Sequence, residues 1–389
     1  METKNKYSKK DFEFLGTVGK SIYGRVERAK HIEQGKEYAI KIIEKIHLKK
    51  DENSEQKERE SELLSKNQEH IGILKLYASF EDNEFHYYVM EYCPNGDMAH
   101  FIDRFAGPLP FELARFYAGE LVNILEFMRS KSIIHRDIKP KNILLAADSH
   151  LRLSEFGSAK LCDDLETAAS QTFVGTADYI APEVLDEGEI TYSIDLWALG
   201  CIIYQMLVGK PPFSAATQYM TFDKIRNGAI EFPPHLPPFA IDLIQSLLLP
   251  DPSIRIGGND IVDLKSHIFF QGLDIDCIFS LTVPDYSHHI RQIVMPRVIL
   301  QGIVRKKAGW IYKKRLLIIS EEPRISYYEP NGEEYRGDIA ISPELKAEVK
   351  GRSEFHIITP NRTYYFKELN DQPEKWVQAV SELVSKIYE

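Results

Sequence analysis

A carboxylate, a cation and a carboxamide stand close together at Asp137, Lys139 and Asn142, and a second carboxylate, Glu155, follows beside Phe156 and Gly157. Such a set suits phosphoryl transfer, a reaction that needs little covalent chemistry from a protein and much positioning and charge neutralisation. One short loop then has to place both a base for the attacking hydroxyl and an oxygen for a divalent cation. Lys139, two residues beyond Asp137, is spaced to meet a phosphate as a point charge. Glu155 supplies a further oxygen on a longer arm than aspartate would, and magnesium accepts oxygens only near about 2.0–2.1 Å in octahedral geometry.

The run from His135 to Asn142 resembles the protein-kinase catalytic loop H-R-D-x-x-x-x-N, and Glu155, Phe156 and Gly157 stand where kinases carry Asp-Phe-Gly. The resemblance implies Asp137 as catalytic base and Asn142 as magnesium ligand. Glu155, replacing the usual aspartate, is the second expected metal ligand, and the replacement puts activity in question.

The elements that must hold these residues follow from pattern. Residues 12–26 and 37–43 alternate with β-branched and aromatic residues, as paired strands do. Within the first, Val18, Gly19, Lys20, Ser21, Ile22, Tyr23, Gly24 and Val26 match G-x-G-x-x-G-x-V, with Ser21 in place of the second glycine, and predict a nucleotide-binding hairpin. Lys41 matches the lysine of V-A-I-K. Its acidic partner is expected on the charge-rich run 53–66, with Glu60 first and Glu62 next. Glu91 and Cys93 look like a hinge that offers backbone groups to adenine, behind which Met90 is the gatekeeper.

Leu113, Phe116, Tyr117, Leu121, Ile124, Leu125 and Met128 recur at helical spacing and predict a core-facing helix. Ala181, Pro182 and Glu183 match the end of an activation segment, in which Thr172 is the expected phosphorylation site with Arg136 as its phosphate partner. Asp195, Trp197 and Gly200 match D-x-W-x-x-G, and Arg255 is expected to pair with Glu183. Residues 11–270 thus resemble a protein kinase of the AGC group, with the two-lobed fold, ATP and magnesium that the group implies.

The chain has 389 residues, room for a kinase domain and one more, and its net charge of −10 argues against general nucleic-acid binding. Four scattered cysteines suit a reducing compartment. The first ten residues, read as a tail, lack the apolar core of a signal peptide. The most apolar stretch, 196–209, is too short to span a bilayer and reads as a buried helix. A cytoplasmic protein is therefore expected.

Residues 271–296 read as a linker without the Phe-x-x-Phe motif of most AGC tails, and from 297 the texture becomes short strands at 309–320, 324–328, 353–359 and 363–368. Asp371 then reads as the cap of a helix whose apolar face is Trp376, Val377, Val380, Leu383, Val384 and Ile387. Strands closed by one helix with a central tryptophan resemble a pleckstrin-homology domain. The whole is an α+β chain, a bilobal kinase fold followed by a pleckstrin-homology β-barrel or sandwich with a C-terminal helix.

Six cations and no acid lie between Ile303 and Arg315, which in an acidic chain points to an anion site. Kinase and pleckstrin-homology parts together resemble the 3-phosphoinositide-dependent protein kinase family over nearly the whole chain. That resemblance implies lipid contacts from Lys306, Lys313, Arg315, Arg336 and Arg362, recruitment to the inner face of the plasma membrane through the pleckstrin-homology part, and other AGC kinases as substrates. It also implies a small-lobe docking pocket at Lys45, Leu48 and Tyr88, made more polar here by Lys49 and His86. Relative to that family the N-terminal extension and linker are short. Two readings stand: a serine/threonine kinase recruited to phosphoinositide membranes, and a weak or inactive kinase fold serving as a lipid-binding scaffold.

Overall fold

The computed structural model describes residues 7–21, 24–45, 67, 69–105, 107–161, 177–286, 298–309, 311–320, 324–330, 335–360, 362–369 and 371–388. It divides into a unit of residues 1–291 and one of residues 292–389.

The first unit begins with an antiparallel sheet of β1 (Phe12–Ser21), β2 (Gly24–His31), β3 (Glu37–Glu44), β4 (Leu76–Glu81) and β5 (Phe85–Glu91), ordered β1-β2-β3-β5-β4. Alternation puts Tyr38, Ile40 and Ile42 of β3 on one face, where they meet Phe80, Tyr87 and Val89 in a small core. Tyr7, within the expected tail, packs edge-on against Phe12 with ring centroids 5.5 Å apart.

The larger lobe is helical: α1 (Met98–Arg104), α2 (Phe111–Ser130), then the short strands β6 (Ile133–Ile134), β7 (Ile143–Leu145), β8 (Leu151–Leu153) and β9 (Lys160–Leu161). Helices α3 (Pro182–Leu185), α4 (Ser193–Val208), α5 (Gln218–Asn227), α6 (Pro238–Leu247) and α7 (Ile261–Lys265) follow. All seven apolar positions expected on α2 are buried. Helix α4 is buried on every side, and Gly209, left-handed at φ 88°, ends it by donating to Gln205 O. Among the described residues no helix is long and apolar enough to cross a membrane.

Residues 271–286, the described part of the expected linker, pack on this lobe. Ile278 is fully buried, and a Cβ on Gly119 of α2 would lie 2.7 Å from its Cδ1. Tyr286 closes the segment, its hydroxyl 2.9 Å from Ser149 Oγ.

The second unit is a seven-stranded antiparallel sheet: β10 (Val298–Ala308), β11 (Ile311–Ser320), β12 (Arg324–Tyr328), β13 (Tyr335–Ile339), β14 (Lys346–Val349), β15 (Glu354–Thr359) and β16 (Arg362–Glu368). The order is β13-β12-β11-β10-β16-β15-β14. Helix α8 (Glu374–Tyr388) covers one side, with Trp376 fully buried and parallel to Phe355 at 5.7 Å. Two details depart from expectation. Ile387 is 36% exposed, because the last turn of α8 leaves the core, and Ala379 takes a core place instead. Asp371 sits two residues before the helix turn opened by the Pro373 carbonyl, and its carboxylate pairs with Arg352 at 3.1 Å.

Candidate active site

Asp137 lies between β6 and β7, where a tight backbone path is held by buried polar groups. The Asp195 carboxylate accepts the His135 and Arg136 backbone N–H groups at 2.8 and 2.9 Å. Arg136 is thereby held at φ 66°, a strained region for a non-glycine residue, and its Nε donates to Ser158 O. Sequence matching singled out Asp195 but not this task, which joins positions 60 residues apart. Burial pushes the Asp195 carboxyl up to about 6 and the His135 imidazole down to about 4. His135 is therefore neutral near pH 7, with Nε2 3.0 Å from Ser154 O and its ring edge-on to buried Phe156.

Lys139 Nζ donates to both Asp137 oxygens, at 2.7 and 2.9 Å. Asn142 Nδ2 donates to the Asp137 carbonyl and to Oδ2, both at 2.8 Å. The carboxylate is thus aimed by two side chains on its own loop. With its nitrogen committed, the Asn142 amide has its oxygen to offer a cation.

Lys41 of β3, paired in register with Val26 and Tyr88, is buried and reaches across the cleft to Glu155. Its Nζ lies 3.1 Å from both Glu155 oxygens. The Lys41 ammonium holds the Glu155 carboxyl below the usual carboxylate range against the opposing effect of burial, with His135 and Lys139 adding to the lowering. About half of the Glu155 side chain, 47%, still opens to the cleft. Its backbone is left-handed at φ 62° and ψ 59°. Among the described residues no three His, Cys, Asp or Glu side chains form a metal cage. The Asn142 amide oxygen and the Glu155 carboxylate nonetheless fit magnesium, which is commonly held by few protein oxygens plus substrate phosphates.

In the β1–β2 hairpin, Gly19 pairs with Val26 and Ser21 with Gly24, while Val18 is exposed. Gly24 is required by packing, since a Cβ there would fall 2.0 Å from Ile42 O of β3. Glu91, at the end of β5, is tied by its side chain to buried Arg152 at 3.2 Å. Arg152 went unnoticed in the sequence; a cation between Leu151 and Leu153 in an apolar strand was the available signal. Cys93 follows, its thiol pushed up to about 12 mainly by burial. Ile22, Tyr23, Leu48, Lys49, Glu60, Glu62 and Thr172 lie outside the described residues. Of the expected docking pocket, Lys45 and His86 both approach Glu81, at 3.1 and 3.2 Å, so this part is ionic. Arg255 meets Glu183 at 2.7 and 3.0 Å in a buried pair over Trp197.

In the second unit, register gathers the basic residues at one end of the sheet. Lys306 shares a face with buried Val304, and Lys313 and Arg315 share one with buried Leu317. Lys306 pairs directly across from Lys313. Its Nζ lies 4.2 Å from the Tyr327 ring centre, and Arg362 lies over Tyr364 at 4.9 Å. Burial, then the charges of Arg362 and Arg315, lower the Lys306 pKa. Arg315 Nη1 and Arg336 Nε both donate to Glu329, at 3.0 and 2.7 Å. Lys306, Lys307, Gly309, Arg362 and Tyr364 help line a cavity of about 240 Å³.

Comparison with known proteins matches the protein kinase domain to residues 12–270 and the PH domain to residues 288–389. 3-phosphoinositide-dependent protein kinase 1 of Rattus norvegicus is 32% identical over 97% of this chain and 84% of its own length. The chain belongs to the 3-phosphoinositide-dependent protein kinase family. It is an ATP-dependent serine/threonine protein kinase with a C-terminal PH domain. Within this family, the Arabidopsis thaliana 3-phosphoinositide-dependent protein kinase 1 is 42% identical over 72% of this chain and 58% of its own length. The serine/threonine-protein kinase PKH2 of Saccharomyces cerevisiae is 33% identical over 79% of this chain and 30% of its own.

Proposed function

We propose that this kinase transfers the γ-phosphate of ATP to serine or threonine in the activation segments of other AGC kinases, and that its C-terminal unit recruits it from the cytoplasm to phosphoinositides at the inner face of the plasma membrane. The observation that carries the reading is the meeting of Lys41 and Glu155, 114 residues apart, beside the Asp137, Lys139 and Asn142 loop. In this reading Asp137 accepts the proton of the substrate hydroxyl as the oxygen approaches phosphorus. Lys139, already on the Asp137 carboxylate, meets the transferred phosphoryl group as a fixed positive charge. Lys41 exchanges part of its contact with Glu155 for the α- and β-phosphates, and the hairpin backbone at 18–21 and 24–26 lies over them. Asn142 and Glu155 would hold magnesium, which neutralises phosphate charge when bound. Lys306, Lys313, Arg315, Arg336 and Arg362 bind the lipid headgroup.

The rival reading, a scaffold without turnover, draws on the same Glu155, which spends both oxygens on Lys41. The two separate in one assay. Purified full chain with ATP and magnesium should phosphorylate an AGC activation-segment peptide, and Asp137→Asn should abolish the signal. Equal signals from both proteins would mark a contaminating kinase, and no signal from the wild type would favour the scaffold.

A further inference from the structure

The basic cluster of the C-terminal unit contains one acid placed against its purpose. Glu329, directly after β12, has 25% of its side chain exposed and accepts from Arg315 through Oε2 and from Arg336 through Oε1. Arg315 is itself only 14% exposed and also donates to the Lys314 carbonyl at 2.6 Å, so its guanidinium is fixed in place. Lys306 and Arg362 lie instead on the rings of Tyr327 and Tyr364. The cluster is therefore divided: two arginines hold a carboxylate, while the cations across the sheet end rest on aromatic faces.

A carboxylate and a phosphate oxygen compete for the same guanidinium fork. A lone phosphate, or the carboxylate of a serine headgroup, offers Arg315 and Arg336 little beyond what Glu329 already supplies, and it must approach against a negative charge. An inositol ring with neighbouring phosphates gains Lys306, Lys313 and Arg362 as well, and these added contacts offset the loss of the Glu329 pair. We propose that Glu329 is a selectivity residue: a built-in counter-ion that a headgroup has to displace, so that single phosphates are refused and adjacent phosphates accepted. The proposal rests on the lipid-binding reading given above.

The test uses the full chain and its Glu329→Gln and Glu329→Asp variants. Binding is measured by sedimentation with phosphatidylcholine vesicles carrying phosphatidylserine, phosphatidylinositol 3-phosphate or phosphatidylinositol 3,4,5-trisphosphate at matched total charge. Soluble inositol 1,3,4,5-tetrakisphosphate, titrated calorimetrically, separates headgroup recognition from membrane attraction. Glu329→Gln should bind the first two lipids about two- to fivefold more tightly, the range expected for a partly exposed carboxylate paired with arginine. Its gain on the trisphosphate should be smaller, so discrimination narrows, and the soluble headgroup should follow the trisphosphate vesicles. Glu329→Asp, which retains the charge, should retain wild-type discrimination. If Glu329→Gln binds every lipid less tightly, or keeps the wild-type ratios, Glu329 only orients the two arginines and the proposal fails while lipid binding stands. If the wild type itself prefers neither phosphoinositide to phosphatidylserine, the lipid-binding reading is overturned and the selectivity role with it.

Discussion

Glu155 shows how much one methylene asks of its surroundings. Its carboxylate is ionised, accepts from Lys41 Nζ through both oxygens, and is held in a left-handed backbone that costs about 1–3 kcal/mol outside glycine. Under its proposed metal role, Glu155→Ala should lose about a hundredfold or more of turnover, since it removes one of the groups that would hold magnesium against the phosphates. Glu155→Asp should remain active. Steady-state kinetics on a soluble peptide decides, and an alanine variant with wild-type turnover would remove Glu155 from the metal site. His135 makes a second prediction at this scale. Its imidazole, depressed from 6.5 to about 4 by burial, contributes stability that is complete above pH 6.5 and is lost as pH falls toward 4. Asp195 acts oppositely: raised from 3.8 to about 6, it lowers stability as pH rises through that window. Comparison with His135→Gln cancels the Asp195 contribution. The stability advantage of wild type over His135→Gln should shrink by about 2 kcal/mol between pH 7 and pH 5, read from denaturant unfolding. An unchanged difference would mean that burial does not depress the His135 imidazole in the folded state.

At the scale of elements, the β1–β2 hairpin separates glycines that look alike in a motif. A Cβ on Gly19 would meet Val26 Cβ at 3.6 Å, an ordinary contact, whereas one on Gly24 would strike the β3 backbone at 2.0 Å. Gly24→Ala should therefore cost about 1–3 kcal/mol of stability through displaced backbone and weaken nucleotide binding, because β3 carries Lys41. Gly19→Ala should change stability by less than about 1 kcal/mol. Equal effects in chemical denaturation would contradict the packing account. The same logic explains Gly200 on α4, where a Cβ would come within 2.9 Å of Leu247 and Leu248.

For the whole molecule, each of the two units has a hydrophobic core of its own, which implies two separable stabilities. The large-lobe core gathers around Trp197, Phe213 and Tyr117, while the C-terminal core is built on Trp376, Phe355 and Phe366. Trp376→Ala should destabilise the C-terminal unit by about 3–5 kcal/mol, the usual consequence of emptying a buried aromatic site. Calorimetry of the full chain should show one transition moving down in temperature, and phosphorylation of a soluble peptide should persist at 25 °C. Loss of that activity would show that the catalytic unit depends on the C-terminal one.

The order of chemistry-bearing residues was legible in the sequence because catalytic loops are local: Asp137, Lys139 and Asn142 lie within one turn of chain and bond to one another. Periodicity likewise exposed the buried faces of α2 and α8, since a helix repeats its own pattern whatever it packs against. Contacts between distant segments have no such imprint. That Asp195 would hold the His135 and Arg136 backbone, and that Gly24 would be needed by β3, depended on which elements became neighbours. The fate of residues 271–286 was decided the same way, because Gly119 leaves a space on α2 that Leu273 and Ile278, brought there by the fold, fill. Charge makes the point most clearly. A run of cations between Ile303 and Arg315 reads as uniformly basic, yet tertiary structure sets Glu329 against Arg315 and Arg336, and electrostatic character follows distance in space rather than along the chain.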